Sequence, residues 1–246
     1  MSFKAVVFDL YGTLINIRTD EHDPEVYKEL SRFLGYNRVY VEPDELYRSF
    51  MVKIKTQLTK SRQEYPDVDI LKIFTALIHE FGAGKMELRL PLYTARLFRA
   101  LTRRTFEPFP GIYGMLERLR DRYPLALLSD AQRCFTAPEV EMLKLEWFFD
   151  HIFMSSDHGF RKPDPRYFGM ALRALGVKPS ETVYVGDNAY RDLVGARKSG
   201  MKMVLVRSSE RTYNSYTPDA YIEDIADLER TLDDLEKGMP PGFPAL

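Results

Sequence analysis

Short apolar segments alternate with longer amphipathic segments along most of this chain. Five runs rich in Val, Ile and Leu have strand length, and a sixth, shorter run follows; several are continuous, as strands covered on both faces should be. The runs span residues 5–8, 125–128, 151–154, 183–185, 203–206 and 220–222. Apolar residues at helical spacing predict helices over residues 111–122, 165–175 and 190–199. The alternation predicts an α/β fold with a Rossmann-like, three-layer core built on a parallel sheet.

The interval between the first two predicted strands is much longer than an ordinary crossover. It holds roughly 110 residues, whereas a crossover needs about a dozen residues including its helix. Residues 24–33, 43–59, 69–81 and 85–101 of this interval are predicted to be helical. We therefore expect an α-helical cap domain at residues 16–105, inserted into a core of residues 1–15 and 106–237. Gly and Pro in residues 238–246 predict a flexible tail.

Net charge, cysteine content and the length of the apolar runs indicate which kinds of binding partner and which cellular setting to expect. The formal net charge is −1, so no overall positive field would draw the chain to nucleic acid or to an anionic membrane, and a small-molecule substrate fits better. Cys134 is the only cysteine, which excludes an internal disulfide and fits a reducing compartment, with the cytoplasm as the expectation. Apolar runs fall short of the roughly 18 residues that a membrane span needs. The oligomeric state stays open.

Polar residues that can carry chemistry follow the predicted strands. Asp9 ends the first strand, Asp187 follows the strand at residues 183–185, and Asp192 lies about one helical turn later. Three carboxylates need a cation or protons to coexist, and oxygen ligands favour a hard ion such as Mg²⁺. Ser129 ends the second core strand and offers a hydroxyl, while Lys162 precedes a helix and offers a point charge.

The order of these pieces resembles the haloacid dehalogenase-like (HAD) hydrolase superfamily. Four segments are similar to its four motifs, in order: Phe8-Asp9-Leu10-Tyr11-Gly12-Thr13-Leu14, the strand end at Ser129, Lys162-Pro163-Asp164-Pro165, and Gly186-Asp187 through Asp192. The long insertion after the first motif resembles the helical cap of the same superfamily. The likeness covers nearly the whole core.

This resemblance implies a role for each matched residue. Asp9 would be the catalytic nucleophile, and its carboxylate would hold Mg²⁺ together with the Tyr11 carbonyl and Asp187. Asp192 would support the metal through water or orient Lys162. The residues that would bind the phosphoryl oxygens of a substrate are Thr13, Ser129 and Lys162. In-line phosphoryl transfer needs these parts, namely a positioned nucleophile and positive charge around the equatorial oxygens.

Tyr11 departs from the pattern of the family's phosphatases, which usually carry a second Asp at this position as general acid and base. A phenol with a pKa of about 10 can donate a proton but is a poor base at neutral pH. The first motif is also similar to that of metal-independent 2-haloacid dehalogenases, although Asp187 and Asp130 differ from the dehalogenase pattern. We expect a phosphatase acting on a small phosphorylated metabolite. A dehalogenase-type hydrolase and a weakly active phosphate-binding relative are the alternatives.

Three arginines of the insertion and a run of three aromatic residues are interpreted as structural and not as parts of the site. Arg96, Arg99 and Arg103 recur at helical spacing in the insertion, a pattern typical of a solvated helix face. The aromatic residues 147–149 are expected to lie in the core. Neither group is assigned to the site.

Overall fold

The computed structural model of the protein describes residues 2–84 and 87–239. Its strands are β1 (Ala5–Phe8), β2 (Ile15–Thr19), β3 (Arg103–Pro108), β4 (Leu125–Ser129), β5 (His151–Met154), β6 (Thr182–Gly186), β7 (Lys202–Val206) and β8 (Ala220–Ile222). Its α-helices are α1 (Pro24–Tyr36), α2 (Pro43–Lys60), α3 (Ile70–Phe81), α4 (Leu90–Thr102), α5 (Ile112–Arg120), α6 (Arg133–Met142), α7 (Pro165–Leu175), α8 (Val194–Lys198) and α9 (Leu228–Glu236).

Six strands form a parallel sheet in the order β5-β4-β1-β6-β7-β8. Every predicted core strand is present, which confirms the α/β fold class. The chain adds β4 and β5 on one side of β1 and then crosses to add β6, β7 and β8 on the other. β1 is therefore central, and the direction of strand addition reverses beside it, where open α/β sheets bind ligands.

Both faces of the sheet are covered by helices. Val6 and Phe8 of β1 share an apolar cluster with α5 and α9, whereas Val7 shares one with α7 and α8. Successive side chains of a strand point to opposite faces, so a strand buried on both faces has to be apolar throughout. All four residues of β1 are buried, in agreement with that requirement.

The long insertion folds as four helices with a core of their own. Apolar residues of α1, α2, α3 and α4 make one cluster that includes Phe50, Phe74 and Phe98. Asp23 and Asp69 cap the N-termini of α1 and α3 through side-chain hydrogen bonds to main-chain N–H groups. The predicted helices of residues 24–33, 43–59 and 69–81 are confirmed. The fourth begins at Leu90, because residues 87–89 form a turn, and the first two residues of its predicted span lie outside the described ones.

An antiparallel pair of strands, β2 and β3, joins the insertion to the sheet. The apolar pattern of the sequence did not predict this pair. Most residues of both strands are half-exposed, so neither strand has a continuous apolar run or a clear alternation. The predicted limits of the cap, at residues 16 and 105, fall inside the two strands, and the division into two domains stays a prediction. Of the predicted tail, residues 240–246 lie outside the described residues.

Two further findings concern the surface. Trp147 is 68% exposed, so the expectation that it lies in the core was wrong, although Phe149 is buried. Within the described ranges, none of the helices combines the length and the apolar character that crossing a bilayer requires. The cytoplasmic setting inferred from the single cysteine stays a prediction.

Candidate active site

The sheet brings the predicted site residues to one edge. β1 lies between β4 and β6, so the residues that end these three neighbouring strands meet at the carboxyl edge. They include Ser129, the last residue of β4, and they are followed directly by Asp9 after β1 and by Asp187 after β6. The Asp9 N–H donates to the Val185 carbonyl at 2.9 Å, which continues the sheet pairing up to the predicted nucleophile.

Lys162 lies at the centre of this edge and is 3% exposed. Its Nζ donates to Asp9 Oδ1 at 2.6 Å, to Asp192 Oδ1 at 2.7 Å and to the Tyr184 hydroxyl at 3.1 Å. Burial opposes the ammonium charge, but the Asp192 and Asp9 carboxylates outweigh this effect and raise the pKa of Lys162 above its usual value. The residue is therefore a fixed cation in contact with the predicted nucleophile.

Three carboxylates converge beside Lys162. Asp9, Asp187 and Asp192 each offer an oxygen, and these atoms lie within 4.8 Å of one another. Burial raises the pKa of Asp9 to about 6 although Lys162 opposes the shift, and burial together with Asp9 and Asp192 raises the pKa of Asp187 to about 7. The negative charge thus exceeds what Lys162 compensates, and an oxygen-only donor set of this kind fits a hard divalent cation.

Asp192 and Asp187 differ in the hydrogen bonds that their carboxylate oxygens accept. Asp192 accepts hydrogen bonds on both: Oδ1 from Lys162 and Tyr184, and Oδ2 from the Asn188 N–H at 3.0 Å. Asp187 receives a long contact of 3.4 Å from the Thr13 hydroxyl. The oxygens of Asp187 are therefore more available to a metal ion than those of Asp192, whose position is fixed by three hydrogen bonds.

Two glycines make room for the carboxylates. Gly12 has φ of +86°, and a Cβ at this position would lie 2.3 Å from Asp187 Oδ2. A Cβ at Gly186 would lie 2.6 Å from the Asp192 carboxyl carbon. The backbone approaches both side chains so closely that any larger residue would displace them.

Ser129 and Thr13 border the same edge and are buried. The Ser129 hydroxyl has no hydrogen-bond partner among the described residues, whereas its main-chain carbonyl accepts from the Tyr167 hydroxyl at 2.8 Å. A buried hydroxyl without a partner is costly, and an anionic ligand would relieve that cost. The neighbouring Asp130 accepts the Lys162 N–H at 3.0 Å through Oδ1, so it links the two segments that carry Ser129 and Lys162.

The side chain of Tyr11 belongs to a separate network. Its hydroxyl donates to Glu139 in a very short hydrogen bond and lies 3.0 Å from Thr136 Oγ1. Burial, reinforced by Glu139, raises the pKa of Tyr11 well above its usual value. Glu139, which is 3% exposed, pairs with Arg99 of α4 through two hydrogen bonds of 2.8 and 3.0 Å.

Sequence reasoning missed the partners in this network. Arg99 is 14% exposed in its side chain and Arg103 also pairs with Glu139, so their assignment to a solvated face was wrong, while Arg96 is exposed as expected. Glu139 lies in α6, a helix that was not among those predicted. Tyr184, which contacts Lys162 and not Tyr11, was also missed, because it lies inside a buried strand. Arginines that recur at helical spacing were the single sequence signal, and it does not distinguish a solvated face from a buried pair.

Comparison with known proteins agrees with this fold. The profile of the haloacid dehalogenase-like hydrolases matches residues 3–200, and the chain belongs to this family of hydrolases. The glyceraldehyde 3-phosphate phosphatase of Pyrococcus furiosus is 38% identical over 39% of this chain, which corresponds to 40% of the length of that relative. The pyrophosphatase PpaX of Bacillus mycoides is 27% identical over 93% of this chain and 96% of its own length.

Among solved structures, the 2-haloacid dehalogenase of Pseudomonas syringae pv. Tomato superposes with a TM-score of 0.72 and 22% identity. The superposition covers 95% of this chain and 99% of that protein. At this identity, the likeness concerns the fold, with its inserted helices, and leaves the chemistry open.

Proposed function

We propose that this chain is a Mg²⁺-dependent phosphatase that hydrolyses a small phosphorylated metabolite through a phospho-aspartyl intermediate on Asp9. The observation that carries the proposal is the carboxylate of Asp187 beside Asp9, with Lys162 bonded to Asp9. A nucleophile that attacks carbon and expels halide has no use for additional negative charge at this position. Phosphoryl transfer uses such a cluster to hold a cation.

Mg²⁺ would be held by Asp9, the Tyr11 carbonyl and Asp187. Asp192 would support the metal through water or orient Lys162, from which it accepts a hydrogen bond. When bound, Mg²⁺ supplies positive charge that offsets the carboxylates and the substrate phosphate. Lys162, the Ser129 hydroxyl and Thr13 would bind the phosphoryl oxygens. This assignment uses the buried, unpartnered hydroxyl of Ser129 as a donor.

The reaction follows from the placement of Asp9. One of its carboxylate oxygens forms a bond to phosphorus while the bond to the leaving oxygen breaks and that oxygen keeps the electron pair. The leaving group takes up a proton from solvent. A water oxygen then attacks the same phosphorus and releases a proton to solvent, the bond to Asp9 breaks with its electron pair returning to the carboxylate, and inorganic phosphate leaves. Lys162 holds Asp9 Oδ1 at 2.6 Å and thereby fixes the carboxylate during both displacements.

The relatives named phosphatase and pyrophosphatase support phosphate chemistry. Metal-independent dehalogenation is the second candidate, since the tyrosine at position 11 is similar to the first motif of dehalogenases. The third candidate is a weakly active relative that only binds phosphate.

One set of assays separates these candidates. Purified protein is given para-nitrophenyl phosphate and a panel of phosphorylated metabolites with Mg²⁺ or with EDTA, and a 2-haloacid as a separate substrate. We expect phosphate release that EDTA and Asp9→Asn both abolish, while Asp44→Asn, an exposed residue of α2, has no effect. Halide release in EDTA would establish the dehalogenase instead, and phosphate binding without turnover would establish the binding protein.

A further inference from the structure

Besides β2, β3 and the pair of Arg99 with Glu139, the helical insertion contacts the core through the connection between α2 and α3. Residues 63–69, which we call the docking loop, connect α2 to α3 and lie against residues 159–161 of the core. The Arg161 N–H donates to the Tyr65 carbonyl at 3.0 Å, and the Asp67 N–H donates to the Gly159 carbonyl at 3.2 Å. Pro66 and Phe160 form an antiparallel bridge between these two bonds. The docking loop thus pairs with the core segment that immediately precedes Lys162.

The carboxylate of Asp67 makes a second connection. The Ser155 hydroxyl donates to Asp67 Oδ2 at 2.6 Å and accepts from the Ala131 N–H at 2.9 Å. Ser155 is fully buried and its bond from the Ala131 N–H lies in the interior, whereas the bond to Asp67 is partly buried. Ala131 lies two residues after Ser129. The carboxylate therefore connects through one side chain to the turn that carries Ser129.

Asp67 consequently contacts both segments that present the phosphate-binding residues. Its N–H holds the segment before Lys162, and its carboxylate holds Ser155 against the turn after Ser129. The two segments also contact each other, because Asp130 accepts the Lys162 N–H at 3.0 Å. Asp67 itself makes no hydrogen bond to Asp9, Ser129 or Lys162 among the described residues, so any effect on the reaction passes through these turns.

We propose that Asp67 is a positioning residue that makes the phosphate-binding half of the active site depend on the docked insertion. The inference rests on the proposed function, since it assumes that Ser129 and Lys162 bind a phosphoryl group. When the docking loop is seated, it fixes the spacing between the Ser129 turn and the Lys162 segment. A misplacement of about 1 Å in such a constellation can cost roughly 100-fold in rate.

The contacts of Asp67 could instead hold the insertion on the core without affecting phosphate binding. The chain offers a matched control for that possibility. Asp69 lies two residues further along, caps α3 through the Lys72 N–H and pairs with the Lys72 ammonium. Asp69→Ala therefore removes a carboxylate at the end of the docking loop without removing a contact to the core.

The experiment measures kcat and KM for para-nitrophenyl phosphate, and Ki for inorganic phosphate, in variants of the full chain. We expect Asp67→Ala to lower kcat/KM by about tenfold or more and to raise Ki for phosphate at least about fivefold. Asp67→Asn keeps an oxygen acceptor for Ser155 and should stay within about threefold of the wild type. Asp69→Ala should stay within about twofold.

Ser155→Ala removes the same hydrogen bond from the core side, together with the bond from the Ala131 N–H, and replaces Asp67→Ala if that variant does not fold. We expect a similar loss, and the double variant Asp67→Ala/Ser155→Ala should lose much less than the product of the two single losses, because both act on one chain of contacts. Thermal melts confirm that each variant is folded at the assay temperature.

An unchanged Ki for phosphate in folded Asp67→Ala and Ser155→Ala would overturn the inference, as would equal losses in Asp67→Ala and Asp69→Ala. A wild-type protein that neither hydrolyses nor binds phosphate would instead remove the proposed function, and the inference with it. The two failures are thus told apart by the wild type alone.

Discussion

The Tyr11 hydroxyl donates a hydrogen bond to Glu139, and Glu139 is paired with Arg99 of the helical insertion. The phenol that stands two positions after Asp9, the proposed nucleophile, is therefore hydrogen-bonded to a buried carboxylate that Arg99 already neutralises. Its raised pKa keeps the hydroxyl protonated throughout the neutral range. The two hydrogen bonds of the hydroxyl fix the ring.

From this arrangement we expect Tyr11→Phe to lower kcat/KM for an aryl phosphate by less than about tenfold, against the 10² to 10⁴ that loss of a positioned acid and base costs. The substitution keeps the ring and the carbonyl and removes only the hydroxyl. Steady-state kinetics across leaving groups of increasing pKa test the point. If Tyr11 protonated the leaving group, the loss would grow steeply along that series, and no such growth is expected.

The pair formed by Arg99 and Glu139 should matter for stability. Arg99→Met leaves the Glu139 carboxylate, which is 3% exposed, with the Tyr11 hydroxyl and only the weaker ionic contact to Arg103 at 3.5 Å, and we expect a loss of about 3–5 kcal/mol in the free energy of unfolding. The exposed pair of Arg118 and Glu229 is the control, where Arg118→Met should cost no more than about 1 kcal/mol. Urea denaturation measures both. Equal losses would mean that burial of the first pair contributes little.

Gly12 offers a test of how tightly the backbone encloses Asp187. Gly12→Ala places a methyl group against Asp187 Oδ2 at a φ of +86°, so the carboxylate has to move. We expect turnover to fall by about 100-fold or more and Mg²⁺ binding to weaken. Gly176→Ala is the matched control, because its φ is +68° and nothing lies within 4 Å of the added methyl. Similar losses in the two variants would attribute the effect to backbone strain alone.

Asp187→Asn should separate stability from function. Asp9 and Asp192 both oppose the charge of Asp187, so its removal relieves repulsion in the metal-free protein. We expect the variant to unfold at the same or a higher temperature than the wild type in EDTA, while Mg²⁺ no longer raises that temperature. Calorimetry with and without Mg²⁺ gives both values. A variant that Mg²⁺ still stabilises as strongly as the wild type would exclude Asp187 from the metal site.

The strands and the positions of Asp9, Ser129 and Asp187 at their ends could be read from the sequence. Continuous apolar runs specify strands that are buried on both faces, and parallel strands bring their carboxyl ends to one edge whatever the details of packing. Lys162 and Asp192 were placed by their motifs, and the structure brings both into contact with the same edge. The local pattern and the rules of chain connection were sufficient for these residues.

Periodicity and strand ends were enough to predict the α/β core, the helical character of the insertion and the set of residues at the sheet edge. Long-range packing was needed to place the Tyr11 hydroxyl against Glu139, to bury Arg99 beside Glu139, and to bring Asp67 against the turns next to Ser129 and Lys162. These pairs are 128, 40 and 88 residues apart in the chain. No local pattern encodes such contacts, because they exist only where separately formed elements pack and where burial makes a polar group require a partner.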